Sequence, residues 1–595
     1  MKKSIIRIVA TLFILSTIIG SMAACGGSSA ADQVFTNGQI YTEDSDDTVA
    51  SAVAVKDGKF VFVGEDDAPE LEELIGNDTE VIDLDGAMMI PGMFDAHSHP
   101  GSVALDSWSV NMPWTYDVDE LLTFVKEYCE EHPVDEVPYF MGKYYPSDMF
   151  GDEGPKAELL DEYVSDRPVC LVDFSDHCFW FNSKAMELMG IDKNTPDADG
   201  TAEIVRDAEG NPTGWFKEDE AFLPYIDNMY EAIGWTPPTS ADQEMWKEVI
   251  DFYHSQGVIG MGNVGAVDKK SDENSVKAIY ELDQAGDLDM YYSHMVRLNG
   301  YEELDECIKT VREYQEKYTT DNITFDTIKY FVDGTNEIGT SYMVEPFSND
   351  PTGQDRGKLD MTQEQLVDIM VRLNEEDLDL QMHIVGDGGF RVICDAAEEA
   401  MKQCGDDWRI QLELCHCELI NEEDETRPAE LGLIVNWTPH WTGGYFGEAA
   451  IEWLGEERFN DMYDFQPMIE AGAIVNFGSD TVSKYEFHRS SPFFGMETAI
   501  TRVDPEFPMD PDKYPGSMRP EEEAKFTMDQ MLKGYTINGA IQFRIDDQAG
   551  SIETGKDADL VVIEENLYEV DPFDLADIEP KAVMFKGEVI SGNFK

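Results

Sequence analysis

The chain begins and ends in short apolar runs that alternate with polar positions. QVFTNGQIYT, AVAVKDGKFVFVG and TEVIDLDGAMMI lie between residues 33 and 90 and are broken by Asn-Gly, Asp-Gly and Gly-Glu steps. Period-two alternation buries one face of a strand, and turn dipeptides between such runs read as β-hairpins. AGSIETGKDADLVVIEE and PKAVMFKGEVISG repeat the pattern near the C-terminus. Residues 32–88 and 546–595 are therefore expected to form one small β-sandwich built from both ends of the chain.

The long middle, residues 89–545, changes period. Short, almost wholly apolar runs alternate with amphipathic helical stretches, the pattern of a parallel α/β protein. After MMIPGMFDAHSH come GVIGMGNVGA, MYYSHMVRLN, FDTIKYFVDG and LDLQMHIVGD, then IQLELCHCEL, LGLIVNWTPH and GAIVNFGSD. Eight such units predict a closed (β/α)8 TIM barrel whose active site lies at the C-terminal ends of its strands. Between the first two strands, residues 105 to 240 form an insertion rich in aromatic and acidic residues, expected to cap the mouth.

Outside this plan stands MKKSIIRIVATLFILSTIIGSMAAC: Lys2, Lys3 and Arg7, an apolar run, then small residues before Cys25. Residues 1–24 have the form of a secretory signal. The small residues before Cys25 resemble a bacterial lipoprotein signal, which implies a lipidated Cys25, a tether over 25–31 and a lipid anchor on the extracytoplasmic face of the cell membrane. No other stretch reaches the ~18 apolar residues of a spanning helix. The remaining eight cysteines have no small-scaffold spacing and read as buried thiols. On a strand, Cys415 and Cys417 would point away from His416 between them.

With 122 acidic against 42 basic residues, the net charge is -80. The acids are spread along the whole chain, so the surface is strongly solvated and offers nucleic acid no electrostatic attraction. The expected partner is a small molecule; association into a homo-oligomer is compatible with the sequence.

Chemistry collects at the strand ends. His97 and His99 share one face of the first strand. Lys329, with Asp333 beyond it, falls on the fourth, His383 on the fifth, His416 on the sixth and Asp480 after the eighth. Only ten histidines occur in the chain, and four of them are in this set.

The order His-x-His, Lys, His, His, Asp resembles the binuclear members of the amidohydrolase superfamily. PGMFDAHSHP, IKYFVDG, MHIVGDGG, LCHCE, FGSD, GSIETGKDADLVVIE, DHCFWFNSKAM and GNPTGWFKEDEA are similar, more narrowly, to the family 3 branch with its N-substituted formamide deformylases. That resemblance implies two zinc ions, one on His97, His99 and Asp480 and one on His383 and His416, bridged by carboxylated Lys329. It implies a metal-activated hydroxide attacking the carbonyl of a small amide or cyclic amide, with Asp480 as general base and then acid. His177 and Asn182, with Lys184 nearby, match an insertion motif; the resemblance implies that His177 is a catalytic group orienting the carbonyl or leaving group, and that Asn182 binds substrate. His440 is read similarly, and Trp437 with Trp441 as an aromatic wall. Asp387 is expected to buttress His383 or meet substrate. Where relatives often carry Ile-Glu-His, this chain has Leu-Cys-His, so the surroundings of His416 differ.

Two other readings compete with amide hydrolysis. Ester or lactone hydrolysis, or isomerisation, would use the same site. A solute-binding lipoprotein would not explain four histidines and an aspartate at barrel strand ends.

Overall fold

Parallel pairing runs without interruption through the middle of the chain. The eight barrel strands are Met93–Ser98, Val258–Val264, Tyr291–Leu298, Ile323–Phe331, Asp379–Ile384, Leu412–His416, Ile434–Trp437 and Ile474–Phe477. They are ordered in space as in sequence. The computed structural model describes residues 30–594 except 114, 147–148, 151–153, 174–177, 197–202, 218–220, 338, 360 and 521. The first and last strands meet through backbone hydrogen bonds from Asp480 N to His97 O (2.9 Å) and from His99 N to Thr481 O (3.1 Å). The protein is thus an α/β TIM barrel with additional sheets.

The helices return the chain because their sequences start and stop cleanly. Thr362 and Gln365 form a reciprocal capping box before Gln363–Glu376, an arrangement worth about 1 kcal/mol. Asp387–Cys404 buries Phe390, Ile393, Cys394, Ala397 and Ala400 at helical spacing against the sheet.

Polar residues inside the barrel floor hydrogen-bond to one another, with Asn436 Oδ1 left without a partner among the described residues. Asn436 donates to Asn476, Asn476 to Gln542 Oε1, and Gln542 to Ala96 O, each at 2.7 Å. Arg544 closes the underside on Asp379 at 2.6 Å. Unpaired amides there would cost a kcal/mol or more each, roughly.

The two ends of the chain do build one sandwich. Its first sheet contains Gln33–Thr36, Ala52–Lys56, Lys59–Gly64 and Glu80–Asp83; the second mixes Gln39–Tyr41, Val49–Ala50 and Met88–Pro91 with Leu560–Ile563, Ala582–Phe585 and Glu588–Gly592. Phe35, Val53, Phe60, Met89, Leu560 and Met584 pack between them. Asp559 ties this unit to the barrel by accepting from Tyr291 Oη at 3.0 Å.

The insertion after the first strand carries its own six-stranded sheet, from Val110–Asn111 to Pro212–Lys217, flanked by helices. It rests on the loop after the eighth strand. Tyr144 packs on Tyr485 at 4.9 Å, while Asp106 accepts from Lys484 N and pairs with Lys143. Residues 1–29, including Cys25, lie outside the described residues, as does His177. Among the described residues no helix is long and apolar enough to cross a membrane.

Candidate metal centre

The first strand delivers its histidines through a local irregularity. Asp95 pairs with Met261 but Ser98 with Asn263, so one extra residue is accommodated between them. The bulge lets Asp95 and Ser98 both meet Ser479 on one side while His97 faces the barrel axis. The eighth strand approaches closely because residue 478 is glycine. A Cβ there would lie 2.5 Å from His97 O. Asp480 then turns inward from a left-handed backbone (φ 49°).

His97 Nε2 and His99 Nε2 lie 3.1 and 3.3 Å from Asp480 Oδ1. One ligand atom from each of the three falls within 4.8 Å of the others, so the group can hold a metal ion. His416 Nδ1 is 3.8 Å from Asp480 Oδ2, and its ring centroid is 4.5 Å from that of His383 and 5.2 Å from that of His97. Lys329 Nζ is 3.4 Å from His97 Nε2. The six residues singled out in the sequence surround one space.

The protonation states suit metal binding. Burial, with Lys329 and neighbouring charges, depresses His97 to about 4 and His383 to about 3, and burial takes His416 well below the ordinary histidine range. All three are neutral imidazoles near pH 7, the form that ligates. Burial lowers Lys329 also, toward the neutral amine. Burial alone would raise Asp480, but the facing imidazoles of His416, His97 and His99 outweigh it and keep the carboxylate ionised. Among the described residues, His416 Nδ1 is fully buried without a hydrogen-bond partner, as is His440 Nε2. An orphaned nitrogen among neutral histidines and a carboxylate fits a divalent cation with nitrogen and oxygen preference.

Several expectations need correction. Asn182 is not available to a substrate: its Oδ1 accepts from Val169 N (3.1 Å) and Ala185 N (2.9 Å), and its Nδ2 donates to Val164 O and Arg167 O. It caps the helix Ser183–Met189 inside the insertion. Trp437 does not line the mouth either. Asn436 takes the inward position, so Trp437 turns toward the helices and stacks on Phe526 at 4.6 Å, beside Phe465 and Phe477. Trp441 supplies the wall instead, stacked on His416 at 5.2 Å and meeting Phe446 at 5.3 Å. Asp387 accepts from Val344 N at 2.8 Å; the partner of His383 is Gly334 O, at 3.2 Å from Nε2.

Cys415 faces the centre too, contrary to simple alternation: its Sγ is 3.9 Å from His97 Nδ1. Both Cys415 and His416 point inward because His416 has φ 75°, which ends the strand and swings its ring back. His440 is buried beside Tyr445, its centroid 5.7 Å away, and above Arg489, which donates to its carbonyl.

Two interior residues escaped the sequence reading. Gln381 lies two positions before His383 on the same face of the fifth strand, and Glu413 two before Cys415 on the sixth. Gln381 Oε1 is 2.5 Å from His97 Nδ1, and its Nε2 donates to Glu413 Oε2 at 2.7 Å. Burial, with Asp379 nearby, raises Glu413 to about 8. Their inward period-two positions were the available signal.

Fold and site together define a barrel hydrolase with a group that can hold a divalent metal. The chain belongs to the amidohydrolase family, whose model (Amidohydro_3) matches residues 80–591. It is 26% identical over 563 residues to the Bacillus subtilis protein YtcJ, covering 94% of this chain and 99% of the relative. It is also 26% identical over 561 residues to the N-substituted formamide deformylase of Arthrobacter pascens, covering 92% and 94%. The fold matches two uncharacterized metal-dependent hydrolases, from Pyrococcus furiosus (TM-score 0.64, 22% identity) and Pyrococcus horikoshii (0.66, 20%). Each alignment spans 91% of this chain and 99% of the other.

Proposed function

We propose that this protein hydrolyses a C–N bond in a small amide or cyclic amide. His97, His99 and Asp480 would hold one zinc ion and His383 and His416 a second, with Lys329, carboxylated by carbon dioxide, contributing one oxygen to each. The observation that carries the reading is the convergence of His97, His99 and Asp480, ligand atoms within 4.8 Å, at the mouth of a barrel. When bound, the metal supplies Lewis acidity that polarises a carbonyl and makes water acidic enough to attack it near neutral pH.

The chain's own groups do the rest. Asp480, ionised and close to His97 and His99, accepts the proton of the attacking water and returns it to the leaving nitrogen. His440 offers the substrate carbonyl or leaving group a buried nitrogen that has no partner among the described residues. Trp441 and Phe446 provide an apolar side against which the substrate's remainder rests. His177 is retained as a substrate-side candidate from its motif. The A. pascens relative, named for deformylation of N-substituted formamides, supports amides over esters.

The test joins metal analysis to a screen of N-acyl, cyclic amide, ester and lactone substrates on protein lacking residues 1–25. Zinc with amide turnover supports the reading. Turnover confined to esters or lactones would move the assignment to that bond, and protein without metal or turnover would defeat it.

We propose in addition that Cys25 carries a lipid that anchors the protein on the extracytoplasmic membrane face. Two acyl chains on one cysteine suffice for stable anchoring where one does not. Cys25→Ser is expected to release the protein from membranes; wild type found entirely in the soluble fraction would refute the anchor.

A further inference from the structure

We infer that Gln381 is a positioning residue of the metal centre: it sets which nitrogen of His97 faces the metal. The inference rests on the metal reading above. An amide oxygen can only accept, and Gln381 Oε1 lies 2.5 Å from His97 Nδ1. His97 bound to a metal therefore carries its proton on Nδ1 and keeps the lone pair of Nε2 for the cation it would share with Asp480, whose Oδ1 is 3.1 Å away. Were the amide reversed, its NH2 would confront Nδ1, the proton would move to Nε2, and His97 could not ligate there.

Glu413 engages the other end of the amide. Its Oε2 accepts from Gln381 Nε2 at 2.7 Å, so the amide has a donor end fixed below and an acceptor end fixed above. The same Oε1 lies 3.4 Å from Lys329 Nζ, so one oxygen orients a ligand and the lysine of the fourth strand together. Gln381 is 0% exposed and Glu413 1%, so water cannot substitute for either. The chain Glu413–Gln381–His97 spans the sixth, fifth and first strands. It does, through an interposed amide, what a carboxylate bound directly to a ligating histidine does elsewhere.

The experiment uses the full chain in detergent, loaded with zinc and titrated against a chelator, and in parallel loaded with cobalt(II) for its visible spectrum. Gln381→Leu fills the space without accepting a hydrogen bond, and is expected to weaken zinc by about 10–100-fold and alter the cobalt bands. Gln381→Glu retains an acceptor for His97 and is expected to restore affinity to within a few-fold of wild type. Thermal unfolding of the metal-free forms checks that both variants fold.

A folded Gln381→Leu protein with wild-type zinc affinity and an unchanged cobalt spectrum would overturn the inference. So would equal loss in the Leu and Glu variants, which would make the requirement one of shape. Wild type that takes up neither metal would instead overturn the metal reading beneath it.

Discussion

Lys329 Nζ sits 3.4 Å from His97 Nε2, with both side chains buried inside the barrel. An ammonium there, beside one or two dications, would be strongly repelled; a neutral amine can react with carbon dioxide and become a bridging anion. Lys329→Ala is therefore expected to lose at least one metal per chain and most turnover. Because only a small anion is missing, formate or acetate is expected to restore part of both. Lys329→Arg is not expected to work, since guanidinium forms no carbamate. Two metals and full turnover in Lys329→Ala without additive would show that Lys329 does not bridge them.

Trp437 and Trp441, four residues apart, have separate tasks. Trp437 is buried among Phe465, Phe477 and Phe526. Trp437→Ala is expected to cost roughly 3–5 kcal/mol of stability. Its effect on KM in the surviving folded fraction is expected to be small. Trp441 stacks on His416, so Trp441→Leu is expected to raise KM or lower kcat with little change in unfolding midpoint. Urea unfolding with steady-state kinetics separates the two, and an interchange of these effects would reverse the assignment.

The barrel was legible because all eight strands are apolar runs with polar residues at their C-terminal ends. His97, His99, Lys329, His383, His416 and Asp480 could be found for the same reason. The failures share one cause: side-chain direction depends on backbone features that alternation ignores. A bulge between Asp95 and Ser98 re-aims the first strand, and the left-handed conformation at His416 brings Cys415 and His416 to the same side. Asn182 was misread because a motif match shows that a residue matters but not whether it serves a ligand or a helix cap. Trp437 was misread because strand ends carry both inward and outward residues, and its neighbour Asn436 had the inward place.

Buried carboxyls are expected to make stability rise as pH falls from about 8 toward about 6.5. Burial raises Asp559 to about 7, despite opposing hydrogen bonds from Lys586 N and Tyr291. Burial likewise raises Glu43 to about 7. Between the ordinary carboxylate range near 4 and about 7, the folded chain binds more protons at these sites than the unfolded chain. These carboxyls therefore favour folding at the acid end of this window, while His97 and His383, depressed to about 4 and about 3, oppose them below about 6.5. The net charge of -80 acts in the same direction, since protonation relieves repulsion. Unfolding midpoints measured from about pH 6.5, where histidine is neutral in both states, to about pH 8 are expected to fall, and Asp559→Asn, which keeps an acceptor for Lys586 N, is expected to flatten part of the slope. A midpoint that climbs steadily over this range would contradict the assignment.

Asp95 decides how well Asp480 is held, although it never faces the metal centre. It accepts from Ser479 N at 2.8 Å, from Ser479 Oγ at 2.6 Å and from Tyr253 Oη at 2.8 Å, all in a buried junction between the first and eighth strands. Ser479 is the residue before Asp480, whose left-handed backbone is unfavourable for a non-glycine residue and must be imposed by its surroundings. Asp95→Ala strands the buried Ser479 N–H, at about 1–3 kcal/mol, and leaves Ser479 Oγ and Tyr253 Oη their longer contacts to Ser98 Oγ, at 3.1 and 3.3 Å. The turn is then free to relax and carry Asp480 away from His97 and His99. The expected result is a lower unfolding midpoint together with weaker metal retention during dialysis against chelator. Asp95→Asn, which keeps one acceptor oxygen but turns an NH2 toward donors, is expected to fall between Ala and wild type on both measures. If Asp95→Ala is destabilised yet keeps wild-type metal affinity, the junction closes the barrel without positioning Asp480, and the coupling between the two aspartates is wrong.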